Sequence, residues 1–216
     1  MVKYLRLLVI LFMGMSLQSC RDALSDPSNN MSSVGKAVEE PCGFVQNSYG
    51  ARVSWKKNIP VTVEVDPEFS AEFFNAATLA ADQWNTSAGK KLIELEKVSF
   101  DKLNDPGRDQ TSRLYWRTDW PKENSNQQAL TVLFFSANEI READVKVNAK
   151  DFNFYATAPN SNREIHMKSL LVHEFGHLLG LRHSSAWPTV MWATLAPTTV
   201  RETISEKDLA SLKCEY

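Results

Sequence analysis

The sequence predicts an α/β domain whose C-terminal part is mostly irregular. Three observations support this prediction. Several short runs alternate apolar and polar residues as strands do, two longer segments carry apolar residues at helical spacing, and an irregular stretch with Pro and Thr follows His183. The chain has 216 residues, 43% of them hydrophobic, which suits one domain with extra segments at an end.

The predicted elements follow the order strand, helix, several strands, then a second long helix. The first helix runs from about Ser70 to Ser87 and ends at Gly89, and the second covers 167–179. A last short helix starts at Ser205, where Ser205-Glu206-Lys207-Asp208 resembles a capping box. The five predicted strands cover residues 59–65, 92–98, 113–117, 130–135 and 143–147.

Residues 1–19 have the pattern of an export signal. Lys3 and Arg6 supply positive charge, an apolar run follows at 7–15, and Leu17-Gln18-Ser19-Cys20 places a small residue before a cysteine. This pattern resembles the lipobox of bacterial lipoproteins, which implies cleavage before Cys20 and a lipid anchor on that residue. The alternative is ordinary secretory cleavage, which would leave the protein periplasmic or secreted.

The segment after Cys20 is rich in Ser, Asn, Asp and Pro and poor in apolar residues up to about residue 40. Such a composition cannot bury enough surface to fold alone. We therefore expect 20–43 to be the lipidated cysteine and a flexible tether, and 44–216 to be the folded domain. An acylated Cys20 would make a lipid membrane a partner, and Arg21 at the next position favours the outer membrane over the inner one.

Overall charge gives no reason to expect a nucleic-acid partner. The formal net charge is -2, and the chain has no long basic or acidic run. We expect a monomer. Beside Cys20 the chain has two further cysteines, Cys42 and Cys214, and in an oxidising compartment these can form a disulfide that closes nearly the whole domain into a loop.

The chemistry is carried by His173-Glu174-Phe175-Gly176-His177-Leu178-Leu179-Gly180-Leu181-Arg182-His183. A catalytic zinc ion takes three protein ligands and keeps one position open for water. His173 and His177 lie one helical turn apart, so both imidazoles can reach one ion. Gly180 can adopt positive φ and turn the chain, which lets His183 return as the third ligand. In a continuous helix His183 would lie about 9 Å along the axis from His177, too far to share an ion.

This segment, followed by Met191, resembles the metzincin metallopeptidases. Ser184 and the step of eight residues from His183 to Met191 are most similar to the matrixin branch. The resemblance implies a twisted, mostly parallel five-stranded sheet with an antiparallel edge strand, two long helices and a small C-terminal subdomain ending in a helix. It also implies that Met191 forms the Met-turn beneath the metal. The stretch Trp192-Ala193-Thr194-Leu195 departs from the usual Pro- and Tyr-containing matrixin segment.

The same resemblance gives Cys42 a second interpretation. Pro41-Cys42-Gly43 is similar to the matrixin cysteine switch, in which a thiolate occupies the open zinc position. We favour the disulfide because Cys214 offers a partner in an oxidising compartment. No calcium site is evident from the sequence.

Together these features predict a zinc endopeptidase with one catalytic Zn²⁺ held by His173, His177 and His183, and with Glu174 as general base. Protein or peptide substrates would lie extended along the edge strand at about 130–136. Two alternatives stay open. One is a non-catalytic surface lipoprotein that keeps the zinc fold as a binding module, and the other is a zinc hydrolase acting on cell-wall peptide or a small dedicated peptide.

Overall fold

The computed structural model describes residues 40–100 and 108–216, together with the backbone of the two-residue strand β1 (Ala23–Leu24). The predicted signal segment and the predicted lipidation site Cys20 lie outside the described residues. None of the helices in the described ranges is both long and apolar enough to cross a membrane.

The core of the domain is the predicted mixed five-stranded sheet. Its strands lie in the order β3-β2-β4-β6-β5. All neighbours are parallel except β5 and β6, which form an antiparallel hairpin. The strands are β2 (Val61–Val65), β3 (Ile93–Lys97), β4 (Ser112–Arg117), β5 (Ala129–Ser136) and β6 (Glu139–Asn148).

Strand β1 extends this sheet beyond β5. Its two residues pair in parallel with Val132 and Leu133. This strand lies within the segment predicted to be a tether, which has no strand pattern of its own. A second, separate sheet is formed by β7 (Phe154–Tyr155) and β8 (Ile165–His166), which pair in parallel. These pairs of residues are too short to give a periodic signal in the sequence.

The three helices agree with the sequence prediction to within about two residues. Helix α1 (Ala71–Ala88) is capped by Ser70, whose hydroxyl accepts from the Phe73 amide, and ends at Gly89 in the left-handed conformation. Helix α2 comprises Met167–Leu178. Helix α3 (Glu206–Lys213) begins with the predicted capping box between Ser205 and Asp208.

Helix α1 packs against α2 and β3, and α2 packs against β5 and β6. The buried face of α1 consists mainly of alanines, which permit a close approach of the two helices. At their contact Trp84 is fully buried, and its indole Nε1 donates to the Val172 carbonyl of α2 at 2.8 Å. A 3₁₀ helix, Lys122–Asn124, lies in the loop between β4 and β5.

The two ends of the domain are joined covalently. Cys42 and Cys214 form a disulfide across a sequence separation of 172 residues, which is the pairing favoured over the cysteine switch. Glu40 is buried and pairs with the Arg52 guanidinium at 2.6 Å. Glu40, which lies four residues before Phe44, therefore packs on the folded domain.

Removing this disulfide should destabilise the domain. In the chain-entropy model a loop of this length constrains the unfolded state by about 5 kcal/mol, an upper figure for measured cases. We expect the double variant Cys42→Ser/Cys214→Ser to unfold at a lower denaturant concentration than the oxidised wild type. Fully reduced wild type should have the same unfolding midpoint as the variant. Two titratable thiols in residues 40–216 of the unreduced protein would contradict the disulfide. An unfolding midpoint of the double variant equal to that of wild type would contradict it as well.

Candidate metal centre and active site

Helix α2 carries the first two histidines and the glutamate of the predicted site. His173 and His177 are one helical turn apart, and each exposes only 3% of its surface. Glu174 is completely buried. All but one of the residues of α2 are buried, so this helix is enclosed by α1, the sheet and the C-terminal part of the chain.

The helix ends in a left-handed turn at Gly180, where φ is 98°. The Gly180 amide donates to the His177 carbonyl at 2.8 Å, and the Leu181 amide donates to the Gly176 carbonyl at 3.0 Å. This is the hydrogen-bond pattern of a glycine-terminated helix. A Cβ at Gly180 would lie 2.6 Å from the Val53 carbonyl oxygen, so close packing as well as φ requires glycine.

The turn brings His183 back to the two histidines of α2. The Nε2 atoms lie 3.1 Å apart between His173 and His177, 3.3 Å between His173 and His183, and 3.2 Å between His177 and His183. A tetrahedral zinc site with Zn–N bonds of about 2.0–2.1 Å separates its nitrogens by about 3.3 Å. The three nitrogens therefore have the spacing that one zinc ion requires.

The opposite ring nitrogens show which tautomers are present. Nδ1 of His173 lies 2.7 Å from the Val190 carbonyl oxygen, and Nδ1 of His177 lies 2.7 Å from the Leu181 carbonyl oxygen. Because a carbonyl oxygen can only accept, each Nδ1 carries the proton. In the neutral ring Nε2 then presents a lone pair, as a metal ligand must.

The protonation of His173 agrees with this assignment. Burial, and then the proximity of His177 and His183, holds the pKa of His173 well below its ordinary value. Among residues 40–100 and 108–216, these three histidines are the one group of His, Cys, Asp or Glu side chains whose ligand atoms converge closely enough for a metal ion. The donor set fits zinc, which binds imidazole nitrogen readily.

Glu174 points from α2 towards the sheet. Its Oε2 accepts a hydrogen bond of 2.6 Å from the Thr131 hydroxyl on β5, and this contact is buried. A short O–H···O⁻ distance is typical of a charge-assisted hydrogen bond. The carboxylate predicted to act as general base is thus held between α2 and the edge of the sheet.

Met191 lies directly beneath helix α2. A Cβ at Gly176 would clash with the Met191 Sδ, so the absence of a side chain at Gly176 makes room for the thioether. The backbone at Met191 is fixed by the Ser184 amide, which donates to the Met191 carbonyl at 2.9 Å. Met191 therefore contacts the helix that carries His173 and His177.

A scan against protein-family models gives a match to the matrixin family, Peptidase M10, over residues 78–216. The matched region covers well over half of the chain and includes all three histidines and Met191. A search of curated proteins found no match.

The chain belongs to the matrixin family. This family is zinc-dependent and consists of metallopeptidases, so the predicted family and fold class are confirmed.

The Met-turn of this matrixin is anchored by the C-terminal helix. Asp208 of α3 accepts from the Thr189 hydroxyl at 2.5 Å and from the Val190 amide at 3.0 Å. The Val190 carbonyl in turn accepts from His173 Nδ1. A carboxylate on the last helix therefore fixes the backbone that orients the first histidine.

The segment that departs from the usual matrixin sequence is held by two side chains. Arg201 donates to the carbonyls of Trp192 at 2.9 Å and Thr194 at 2.8 Å. Gln128, which directly precedes β5, donates to the Leu195 carbonyl at 2.9 Å. Although Pro and Tyr are missing, residues 192–195 are tied to the edge of the sheet and can form one wall of a substrate cleft.

Open space lies beside His183. A cavity of about 580 Å³ extends between the N-terminal segment at 40–43 and helix α3, and both His183 and Met191 line it. Trp187 is 62% exposed and packs edge-to-face on Trp192 with ring centroids 6.2 Å apart. The cavity and this aromatic pair both offer contact surface for a bound chain.

Sequence reasoning did not identify three residues of this site. Thr131 and Gly176 carried no signal, because their roles depend on which side chain the fold places opposite them. Asp208 was assigned only to the capping box, which it does form, but its second contact with the Met-turn is tertiary. His166 lies at the N-cap of α2, where its Nδ1 is 2.8 Å from the Ser169 hydroxyl.

Replacing Gly180 by alanine should disrupt the metal centre. The side chain would be strained at positive φ and would press on the Val53 carbonyl, so the turn should open and displace His183. We expect weaker zinc binding and a lower unfolding temperature than in the control Gly89→Ala, where φ is also positive but a Cβ meets no atom within 4 Å. Equal zinc affinity in the two variants would contradict this role for Gly180.

Proposed function

We propose that this matrixin is a zinc endopeptidase that hydrolyses peptide bonds of extended protein substrates. The convergence of the three Nε2 atoms beside a buried glutamate carries the proposal. Membership of a zinc-dependent peptidase family supports it from outside the site. A binding module would have no need for a carboxylate at Glu174, so the geometry favours the catalytic alternative.

His173, His177 and His183 would hold the zinc through their Nε2 lone pairs. When bound, zinc makes a coordinated water more acidic and polarises the carbonyl of the scissile bond. The protein fixes the ligands through their Nδ1 protons, which donate to the carbonyls of Val190 and Leu181. Burial of His173 lowers its pKa and so reduces competition from protons for its Nε2.

Glu174 would act first as base and then as acid. Its carboxylate takes a proton from the attacking water and delivers this proton to the nitrogen of the departing amine. The Glu174 side chain is itself completely buried. Burial keeps bulk water from competing for the carboxylate and strengthens its electrostatic interactions.

Substrate would bind as an extended strand along the outer edge of β5. Strand β5 is the outermost of the five main strands of the sheet. Pairing of its outer edge with an added strand would supply main-chain hydrogen bonds. Strand β1 lies on this edge at Val132 and Leu133, so a substrate that uses the full length of β5 has to take the place of β1. Residues 192–195 would form the facing wall.

Replacing Glu174 by glutamine tests the catalytic proposal. Glutamine keeps the size of the side chain but cannot accept the proton, so kcat should fall by about 10²- to 10⁴-fold while the zinc content stays at one ion per chain. Peptide-library cleavage with and without chelator, together with metal analysis, measures both quantities. The matched control Glu206→Gln changes an exposed glutamate of α3 and should behave as wild type.

Two results would count against this function. Normal cleavage by Glu174→Gln would exclude the proposed base. Stoichiometric zinc in wild type without cleavage of any library member would favour the binding module instead. Sequencing the cleaved sites would also distinguish a general endopeptidase from an enzyme dedicated to cell-wall or other small peptides.

We propose further that the protein is exported and held at a membrane through an acylated Cys20. The signal-like segment before Cys20 supports export, and so does the Cys42–Cys214 disulfide, because such bonds persist in oxidising compartments. We expect labelled fatty acid to be incorporated into wild type but not into Cys20→Ala. Unlabelled wild type would leave ordinary secretion as the route.

A further inference from the structure

Thr131 is the polar exception on the inner face of strand β5. The strand alternates buried and partly exposed residues, and the neighbours of Thr131 on the same face are Ala129 and Leu133. Thr131 itself is only 3% exposed. Burying a hydroxyl is unfavourable unless it forms a hydrogen bond, so the contacts of this hydroxyl explain its presence.

The hydroxyl is directed at the predicted general base. Its Oγ1 lies 2.6 Å from Glu174 Oε2 and 3.4 Å from the Glu174 carbonyl oxygen. A threonine hydroxyl has one hydrogen to donate, and the much shorter distance assigns it to the carboxylate. Hydrogen bonds to ionised groups are also the stronger ones, which favours the same assignment.

Thr131 is well suited to fix the position of its partner. It lies inside the β5–β6 hairpin, where it pairs with Val145 of the central strand β6. A β-branched side chain has few χ1 rotamers, so the backbone of β5 largely determines where its hydroxyl lies. Glu174, by contrast, has three side-chain torsions, and one firm contact at Oε2 removes much of that freedom.

We infer that Thr131 is a positioning residue for this reaction: it holds the Glu174 carboxylate through Oε2 in the orientation needed to take the proton. The inference rests on the proposed function. Strand β5 then has two tasks, because its outer edge would bind the substrate backbone while Thr131 on its inner face orients the base. The scissile bond and the Glu174 carboxylate would then both be positioned by one rigid strand.

Three variants separate this role from a purely structural one. Thr131→Val removes the hydroxyl and keeps the shape, and Thr131→Ser keeps the hydroxyl. Thr78→Val is the matched control, because the Thr78 hydroxyl donates to the Phe74 carbonyl within α1. Each is compared with wild type for kcat, KM, zinc content and unfolding temperature.

For Thr131→Val we expect kcat to fall about 10- to 100-fold, as is usual when a supporting hydrogen bond is lost, with KM and zinc content unchanged. Thr131→Ser should recover most of kcat, and Thr78→Val should keep all of it. A kcat for Thr131→Val within twofold of wild type, or an equal loss in Thr131→Ser, would overturn the inference. A parallel loss of zinc would also overturn it, since the effect would then be on the metal site.

A second measurement does not depend on activity. Crystal structures of the metal-free proteins should show one Glu174 rotamer in wild type and Thr131→Ser, and several in Thr131→Val. The same single rotamer in all three would overturn the positioning role even if the enzyme is active. If wild type cleaves nothing, the proposed function fails, and these structures still decide whether Thr131 orients Glu174.

Discussion

A straight helix can present two histidines to one metal ion but not a third residue six positions further on. The centre therefore depends on the reversal at Gly180, which has φ of 98° and no room for a Cβ beside the Val53 carbonyl. The reversal also places Leu181 where its carbonyl accepts from His177 Nδ1. One backbone turn thus positions the third histidine and fixes the tautomer of the second.

The end of α2 is buried, so its last carbonyls need partners from elsewhere in the chain. The Trp55 indole donates to the Leu178 carbonyl at 2.8 Å, and the hydroxyl of the C-terminal Tyr216 donates to the Leu179 carbonyl at 2.6 Å. Next to Tyr216, Glu215 accepts from Ser54 and Lys56. Burial raises the pKa of Glu215, but these hydrogen bonds and the charge of Lys56 outweigh it, so its pKa lies below the ordinary value. Residues at both ends of the domain therefore stabilise the turn at Gly180.

The parts of this molecule that the sequence could predict are those encoded locally. Helical periodicity and caps located α1 and α2, and the spacing of His173, His177 and His183 located the metal centre because a helix and one glycine turn fix their geometry. The short strand β1 has no local signal, and its backbone pairs with the edge of β5, a tertiary contact. The contacts of Thr131 and Asp208 are likewise tertiary, so neither could be predicted from the sequence without knowing which residues the fold brings next to them.

In the proposed mechanism, strand β5 contacts both the general base and the substrate. Its inner face contacts Glu174 through Thr131, and Gln128 just before it holds the Leu195 carbonyl of the facing wall. Arg201 fixes the rest of that wall through backbone carbonyls, which any side chain at 192–194 leaves available. The wall can therefore vary in side chain without losing its shape. This explains how a segment without the usual Pro and Tyr can still be tied to the same strand. In the proposed binding mode, specificity would come from the side chains of this wall, while its backbone would keep the position of the substrate.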